Sequence, residues 1–126
     1  GGPNEKLISA DIEKLLIKKG IKNYQNLAGR TSIPELIQLI SSFDLFITGD
    51  SGPMHLAACY KVPTVSIFGP TNDNETSQWN NKKSIILKKN LDCQPCMKRV
   101  CPLKHHNCMK LIKAKDVLKE VESFNL

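Results

Sequence analysis

Residues 44–70, DLFITGDSGPMHLAACYKVPTVSIFGP, leave the chain few folds to choose from. Asp44-Leu45-Phe46-Ile47-Thr48 is a short apolar run rich in β-formers, which predicts a strand buried on both faces. Gly49-Asp50-Ser51-Gly52-Pro53 breaks it. Ser51 suits an N-cap, and Pro53 suits a first helical turn, where its missing N–H costs nothing. A helix is expected over 54–60 and a second buried strand over 62–68, closed by Gly69-Pro70. Two strands joined by a crossover helix form a parallel βαβ unit. Ligands bind such units beyond the carboxyl ends of the strands, where the GDSGP loop lies.

The loop suits an anion. Free N–H groups at a helix start, with the helix dipole, attract phosphate. Gly49 and Gly52 admit close backbone approach, Ser51 adds a hydroxyl and His55 a ring N–H. Asp50 is the odd member, since a carboxylate repels phosphate; it is expected to cap the helix or orient His55. A capped βαβ turn without a ligand accounts for the same residues.

At 126 residues the chain is long enough for one domain with a modest core. Hydrophobic content of 40% with 24% charged residues marks it as globular and soluble. No apolar run approaches the roughly 20 residues of a membrane span. No signal peptide is visible. The start, Gly1-Gly2-Pro3-Asn4-Glu5, reads as a loop and lacks an initiator Met, so the chain is expected to be cut from something longer. The net charge of +6 is uneven: residues 1–81 hold 7 Lys/Arg against 8 Asp/Glu, residues 82–126 hold 11 against 4. That basic third is either a solvated lysine-rich surface or a face for anionic lipid or nucleic acid. Aromatics are only 6% and do not alternate with the basic residues, which weighs against a base-stacking surface.

Around the βαβ unit, Ile8, Ile12, Leu15 and Leu16 share one helical face, and Gly20 stops the pattern, predicting a helix over 9–19. Residues 23–27 read as a weak strand. Ser32 and Glu35 form a capping box that opens a helix to about Ser42, with Ile33, Leu36, Ile37 and Ile40 inward. Residues 71–81 read as a polar loop, 84–87 as a last strand, and 114–124 as a helix with Val117, Leu118 and Val121 on its apolar face. Alternating helices and strands predict a doubly wound α/β layout. The layout lacks the strand that usually precedes the first helix.

Cys93, Cys96, Cys101 and Cys108 give C-x2-C-x4-C-x6-C, with His105 and His106 between the last two. Four thiols within sixteen residues fit a tetrahedral zinc or iron–sulfur site. Lys98, Arg99, Lys104 and Lys110 would favour thiolates. The spacing is not that of a common zinc finger. Reduced packing thiols or disulfides remain alternatives, disulfides being disfavoured without a secretion signal. Four protein ligands would leave no open position, so such a metal would be structural, not catalytic. Cys59 is expected to be a core thiol.

Four pieces in order now resemble glycosyltransferase family 9, the lipopolysaccharide heptosyltransferases: Gly1-Gly2-Pro3-Asn4-Glu5, residues 27–32 (LAGRTS), residues 48–58 (TGDSGPMHLAA) and Phe68-Gly69-Pro70-Thr71. The cysteine segment 93–109 is similar to the tail of many members. The resemblance covers nearly the whole chain. It implies an α/β fold, a Rossmann-like parallel sheet with flanking helices, as the partial C-terminal domain of a GT-B glycosyltransferase. In that family this domain binds the nucleotide sugar, ADP-heptose in the best-known members. Residues 1–126 would then be an N-terminally truncated donor-binding domain, carrying the Cys-rich loop 93–108 and the C-terminal helix.

By position, Asp50, Ser51, Gly52, Pro53 and His55 would surround the ADP phosphates. Glu5 would accept hydrogen bonds from the ribose and Thr31 would line the adenine pocket, though helix packing explains those two equally well. Backbone N–H groups and His55 would offset charge on the leaving diphosphate, so catalysis would need no metal, and zinc at the cysteines would be structural. The aspartate base of the inverting reaction would lie in an absent N-terminal domain, leaving these residues inactive alone. The acceptor would be the phosphorylated lipid A and core oligosaccharide, met through that domain. The implied place is cytoplasmic, peripheral at the inner face of the bacterial inner membrane, with the basic third on anionic lipid. Nucleic acid is not an expected partner, and an open sheet edge invites a second copy. Two other readings stay open: a nucleotide-sugar epimerase on the same fold, and a metal-stabilised nucleic-acid-binding module.

Overall fold

A computed structural model describes residues 1–125, which form two compact units, Gly1–Gln38 and the chain from Leu39 on. In the first unit a 3-10 turn, Pro3–Glu5, leads straight into α1, Lys6–Lys18. The expected opening loop is therefore a helical turn, and α1 begins three residues earlier than its apolar period suggests. The cause is local: Pro3 sits in the first turn and Glu5 reaches back, its Oε2 accepting the Gly2 N–H at 2.6 Å. Gly20, at φ +72°, ends the helix as expected.

The inward face of α1 differs from the expected one. Ile8, Ile12 and Leu15 are exposed, whereas Ser9, Ala10, Glu13 and Leu16 are half-buried. Glu13 turns inward because its carboxylate takes a hydrogen bond from Asn26 Nδ2 at 3.0 Å. Residues 23–27 are not a strand: among the described residues nothing pairs with them, and Asn26 Oδ1 bends the chain by accepting the Ala28 N–H. Gly29, at φ +64°, then turns it and donates its N–H to the Gly1 carbonyl at 2.8 Å.

The Ser32–Glu35 capping box forms as the sequence indicates. Glu35 Oε2 accepts from the Ser32 N–H and Oγ at 2.7 and 2.6 Å, and α2 runs Ile33–Ser41. Ile40 is fully buried, but Ile33, on the first turn, is exposed.

The second unit holds the sheet. β1 is Phe46–Gly49, β2 is Thr64–Phe68 and β3 is Ser84–Lys88, parallel in the order β1-β2-β3. Phe46 pairs with Thr64, and Thr64 with Ser84. α3, Gly52–Cys59, is the crossover between β1 and β2. α4, Asp73–Thr76, turns the segment expected as a polar loop. α5, Asn107–Lys110, follows the cysteine segment, and α6, Ala114–Glu122, packs against β2. Phe68, Ile40, Met54 and Val65 are the largest fully buried apolar side chains and form the core around β2.

Burial falls off toward the sheet edges. β2 is buried along almost its whole length, as expected of a central strand. β1 is not buried on both faces: it alternates, with Ile47 48% exposed, and among the described residues it is an edge strand paired with β2. Cys59 is exposed and not a core thiol, since α3 turns Met54, Ala57 and Ala58 inward instead. In α6, Val117 and Val121 are half-buried, but Leu118 is exposed. No helix among the described residues is long and apolar enough to cross a membrane.

Candidate functional site

The βαβ unit sets the GDSGP turn at the carboxyl end of β1, where parallel sheets place ligands. Ser51 occupies the N-cap position of α3 in extended conformation, yet its side chain makes no cap hydrogen bond. Its Oγ instead lies 3.1 Å from Thr48 Oγ1 at the end of β1. Of the first-turn positions of α3, Pro53 has no N–H and the Met54 N–H donates to the Ser51 carbonyl at 3.0 Å, so the Gly52 N–H is the one left without a side-chain cap. A Cβ built on Gly52 would meet nothing within 4 Å, so the helix start faces open space. Pro53 lies in the first turn, and His55 is exposed one residue beyond Met54.

Asp50 does neither thing expected of it. It neither caps α3 nor is bonded to His55; its Oδ2 accepts from Thr76 Oγ1 at 2.8 Å. The carboxylate is thereby tied to the last residue of α4, and the turn is braced by the connection between β2 and β3. Thr76 is a site residue that sequence reasoning missed. A signal was present: Asn72 followed three residues later by Glu75 is a helix start. Asn72 Oδ1 accepts the Asn74 N–H at 3.2 Å, and Asn72 Nδ2 donates to Glu75 Oε1 at 2.9 Å.

A polar cavity of about 260 Å³ opens beyond the carboxyl ends of β2 and β3. Asn72, Asp73, Lys88 and Lys89 line it, and Lys88 Nζ grips both Asp73 oxygens at 2.6 and 2.8 Å. Nearby, Thr71 Oγ1 is buried without a hydrogen-bond partner.

In the first unit, Glu5 is exposed and spends one carboxylate oxygen on the Gly2 N–H. Thr31 is half-buried in the segment leading to the capping box. Asp50, Ser51, Gly52, Pro53 and His55 are brought together on one turn; Glu5 and Thr31 belong to the other compact unit.

The cysteine segment forms a second locus. Gln94 Nε2 donates to the Gly69 carbonyl at 2.7 Å and the Met97 N–H to the Pro70 carbonyl at 2.8 Å, which pins the segment to the turn after β2. A Cβ on Gly69 would lie 2.5 Å from Met109 Sδ, so this turn tolerates its neighbour because it is glycine. Cys93, Cys96, Cys101 and Cys108 all line one cavity of about 180 Å³ with His105, Lys98 and Arg99. All are free thiols, and among the described residues no three His, Cys, Asp or Glu groups are gathered to hold a metal ion. Backbone N–H groups bonded to the Cys101 sulfur, that of His106 foremost, hold its thiol below the usual range, with desolvation working the other way.

The sequence model of glycosyltransferase family 9 (heptosyltransferase) matches residues 1–107. A lipooligosaccharide heptosyltransferase 2 of Campylobacter jejuni serotype O:2 is 46% identical over 122 residues, 97% of this chain and 38% of that protein. The structure of Escherichia coli ADP-heptose lipopolysaccharide heptosyltransferase II superposes with a TM-score of 0.76 at 22% identity, over 98% of this chain and 34% of that one. A glycosyl transferase family 9 structure from Veillonella parvula gives 0.69 at 23%, again over 98% and 34%. The structural likeness is one of fold: a parallel sheet with flanking helices, as in GT-B heptosyltransferases. The chain spans well under half the length of these relatives.

Proposed function

The chain belongs to glycosyltransferase family 9, the heptosyltransferases, and from that premise we propose that it is the donor-binding part of an enzyme transferring heptose to the lipopolysaccharide inner core. The observation that carries the proposal is the uncapped start of α3, opening at the carboxyl end of β1 in a chain of this family. An anionic diphosphate suits that place, because the Gly52 N–H and the helix dipole meet it with little reorganisation. Ser51 Oγ and the His55 ring add polar groups at the same turn. Asp50, held by Thr76, is a positioning residue: it keeps the turn in shape and leaves the donors to the backbone.

The reaction follows from the donor's chemistry. A hydroxyl of the phosphorylated lipid A and core acceptor, deprotonated by a carboxylate outside these residues, attacks the anomeric carbon. The bond to the diphosphate oxygen breaks, ADP leaves and the anomeric configuration inverts. Negative charge grows on the leaving diphosphate, where the first turn of α3 and His55 stabilise it more than in the ground state. Glu5 and Thr31 are assigned to the ribose and adenine. One Glu5 carboxylate oxygen, Oε2, is already taken by Gly2, so Oε1 is the acceptor for a ribose hydroxyl. The excess of Lys and Arg after residue 81 suits contact with the anionic membrane face where such an acceptor lies.

Calorimetric titration of ADP and ADP-heptose into the full-length protein tests this. His55→Ala is expected to weaken both ligands about tenfold, the worth of a hydrogen bond to a charged group. Asp50→Ala is expected to weaken them through loss of the brace, and Thr76→Val to reproduce most of that loss. Unchanged affinity in folded His55→Ala and Asp50→Ala proteins would move the donor diphosphate away from this turn.

A further inference from the structure

We propose that Cys93, Cys96, Cys101 and Cys108 bind one soft divalent metal ion of the zinc class, which fastens the loop 93–108 to the turn after β2. Four of the five cysteines of the chain line a single cavity, while the fifth, Cys59, is exposed on α3. Thiols kept for packing are buried, but here only Cys108 is; Cys93, Cys96 and Cys101 are half-buried at the cavity wall. Packing therefore does not account for three of the four.

The surroundings suit a thiolate site. A divalent ion with four thiolates carries a net charge of −2, and Lys98 and Arg99 line the same cavity to offset it. The segment also needs a fastener. Between β3 and α5 it has no regular structure, and it turns through positive φ at Met97, Lys104 and His106. Among the described residues its ties to the sheet include the bonds of Gln94 and Met97 to the Gly69-Pro70 turn, with the Met109 side chain close beside Gly69. The four thiols share the cavity wall without being gathered around one point, so binding closes the loop on the ion and couples to local folding. With four protein ligands the site is closed, hence structural. This inference is independent of where the donor binds.

The test is a titration of Co²⁺, then Zn²⁺, into the full-length protein purified in reductant. One cobalt per chain is expected, with thiolate-to-cobalt charge transfer and tetrahedral d–d bands, displaced by one zinc. Zinc should protect four thiols from alkylation and leave Cys59 reactive. Cys96→Ser and Cys108→Ser should each weaken cobalt binding by roughly 100-fold or more, while Cys59→Ser leaves it unchanged. If the serine variants do not fold, the cobalt spectrum and the alkylation pattern of the unaltered protein decide. An octahedral spectrum, alkylation of all five thiols at rates indifferent to zinc, or a disulfide among the four would overturn the proposal.

Discussion

β2 and α1 are both apolar in sequence and end in opposite environments. In β2, Thr64, Val65, Ser66 and Phe68 are all 0% exposed, so even its hydroxyl residues are enclosed. In α1, Leu7 is 81% exposed and Leu15 60%, and no residue of the helix is fully buried. The difference lies in what each element can gather. A central parallel strand has neighbours on both edges and helices against the sheet, so its whole length leaves water. A single amphipathic helix buries only what something else covers. Apolar content states a demand for burial; topology decides whether it is met.

The hardest blow to this contrast would be dealt at Phe68. Phe68→Ala should cost about 3–5 kcal/mol, the usual range for emptying a well-packed aromatic site. Leu15→Ala, at an exposed position, should cost less than about 0.5 kcal/mol. Denaturant unfolding of the two variants measures the gap. A cost near 2 kcal/mol at Leu15 would show that the α1 face is covered in the protein under test, and the contrast would then reflect what surrounds the chain.

A middling effect is expected where the first unit does depend on tight geometry. Gly29 has φ +64°, and a Cβ there would collide with the Lys6 side chain and come within 3.0 Å of Pro3 Cα. Lys6 can swing aside; the Pro3 backbone cannot do so cheaply. Gly29→Ala should therefore lower stability by about 1–2 kcal/mol, the cost of a left-handed backbone at a non-glycine residue. Hydrogen exchange at the Gly29 amide, bonded to the Gly1 carbonyl, would locate the loss. Exchange as slow as in the parent would mean that the turn does not depend on glycine.

Where the sequence was legible, one residue pattern had one cheap structural solution. The strand–turn–helix–strand of 44–70, the Ser32–Glu35 box and the Gly20 stop are local signals, and each stands close to where it was read. The GDSGP turn was legible for the same reason, since glycines and a proline restrict the backbone there. Errors arose where distant partners decide. Residues 23–27 have the composition of a weak strand but no edge to pair with among the described residues. The sequence neighbours of Asp50 point to a cap or to His55, whereas its partner, Thr76, is 26 residues away. Ile8 and Ile12 obey the helical period, yet the Glu13–Asn26 bond selects a different inward face.

The smallest effect is expected at Glu35, and it sharpens the view that local signals act locally. The Ser32 hydroxyl, then the Ser32 N–H, hold the Glu35 carboxyl below its ordinary range, with desolvation opposing them. A carboxylate whose folded pKa is depressed adds stability above its unfolded pKa, about 4.3, and loses it as pH falls through the lower folded value. Melting temperature followed from pH 6 to pH 3 should therefore drop slightly less steeply in Glu35→Gln, which keeps an oxygen for Ser32 but carries no charge. The variant should melt a little lower at pH 6 and converge on the parent at pH 3. Parallel curves across that range would mean that the capping box contributes through geometry alone. Its value would then be set, like that of the Gly20 stop, by backbone shape and not by charge.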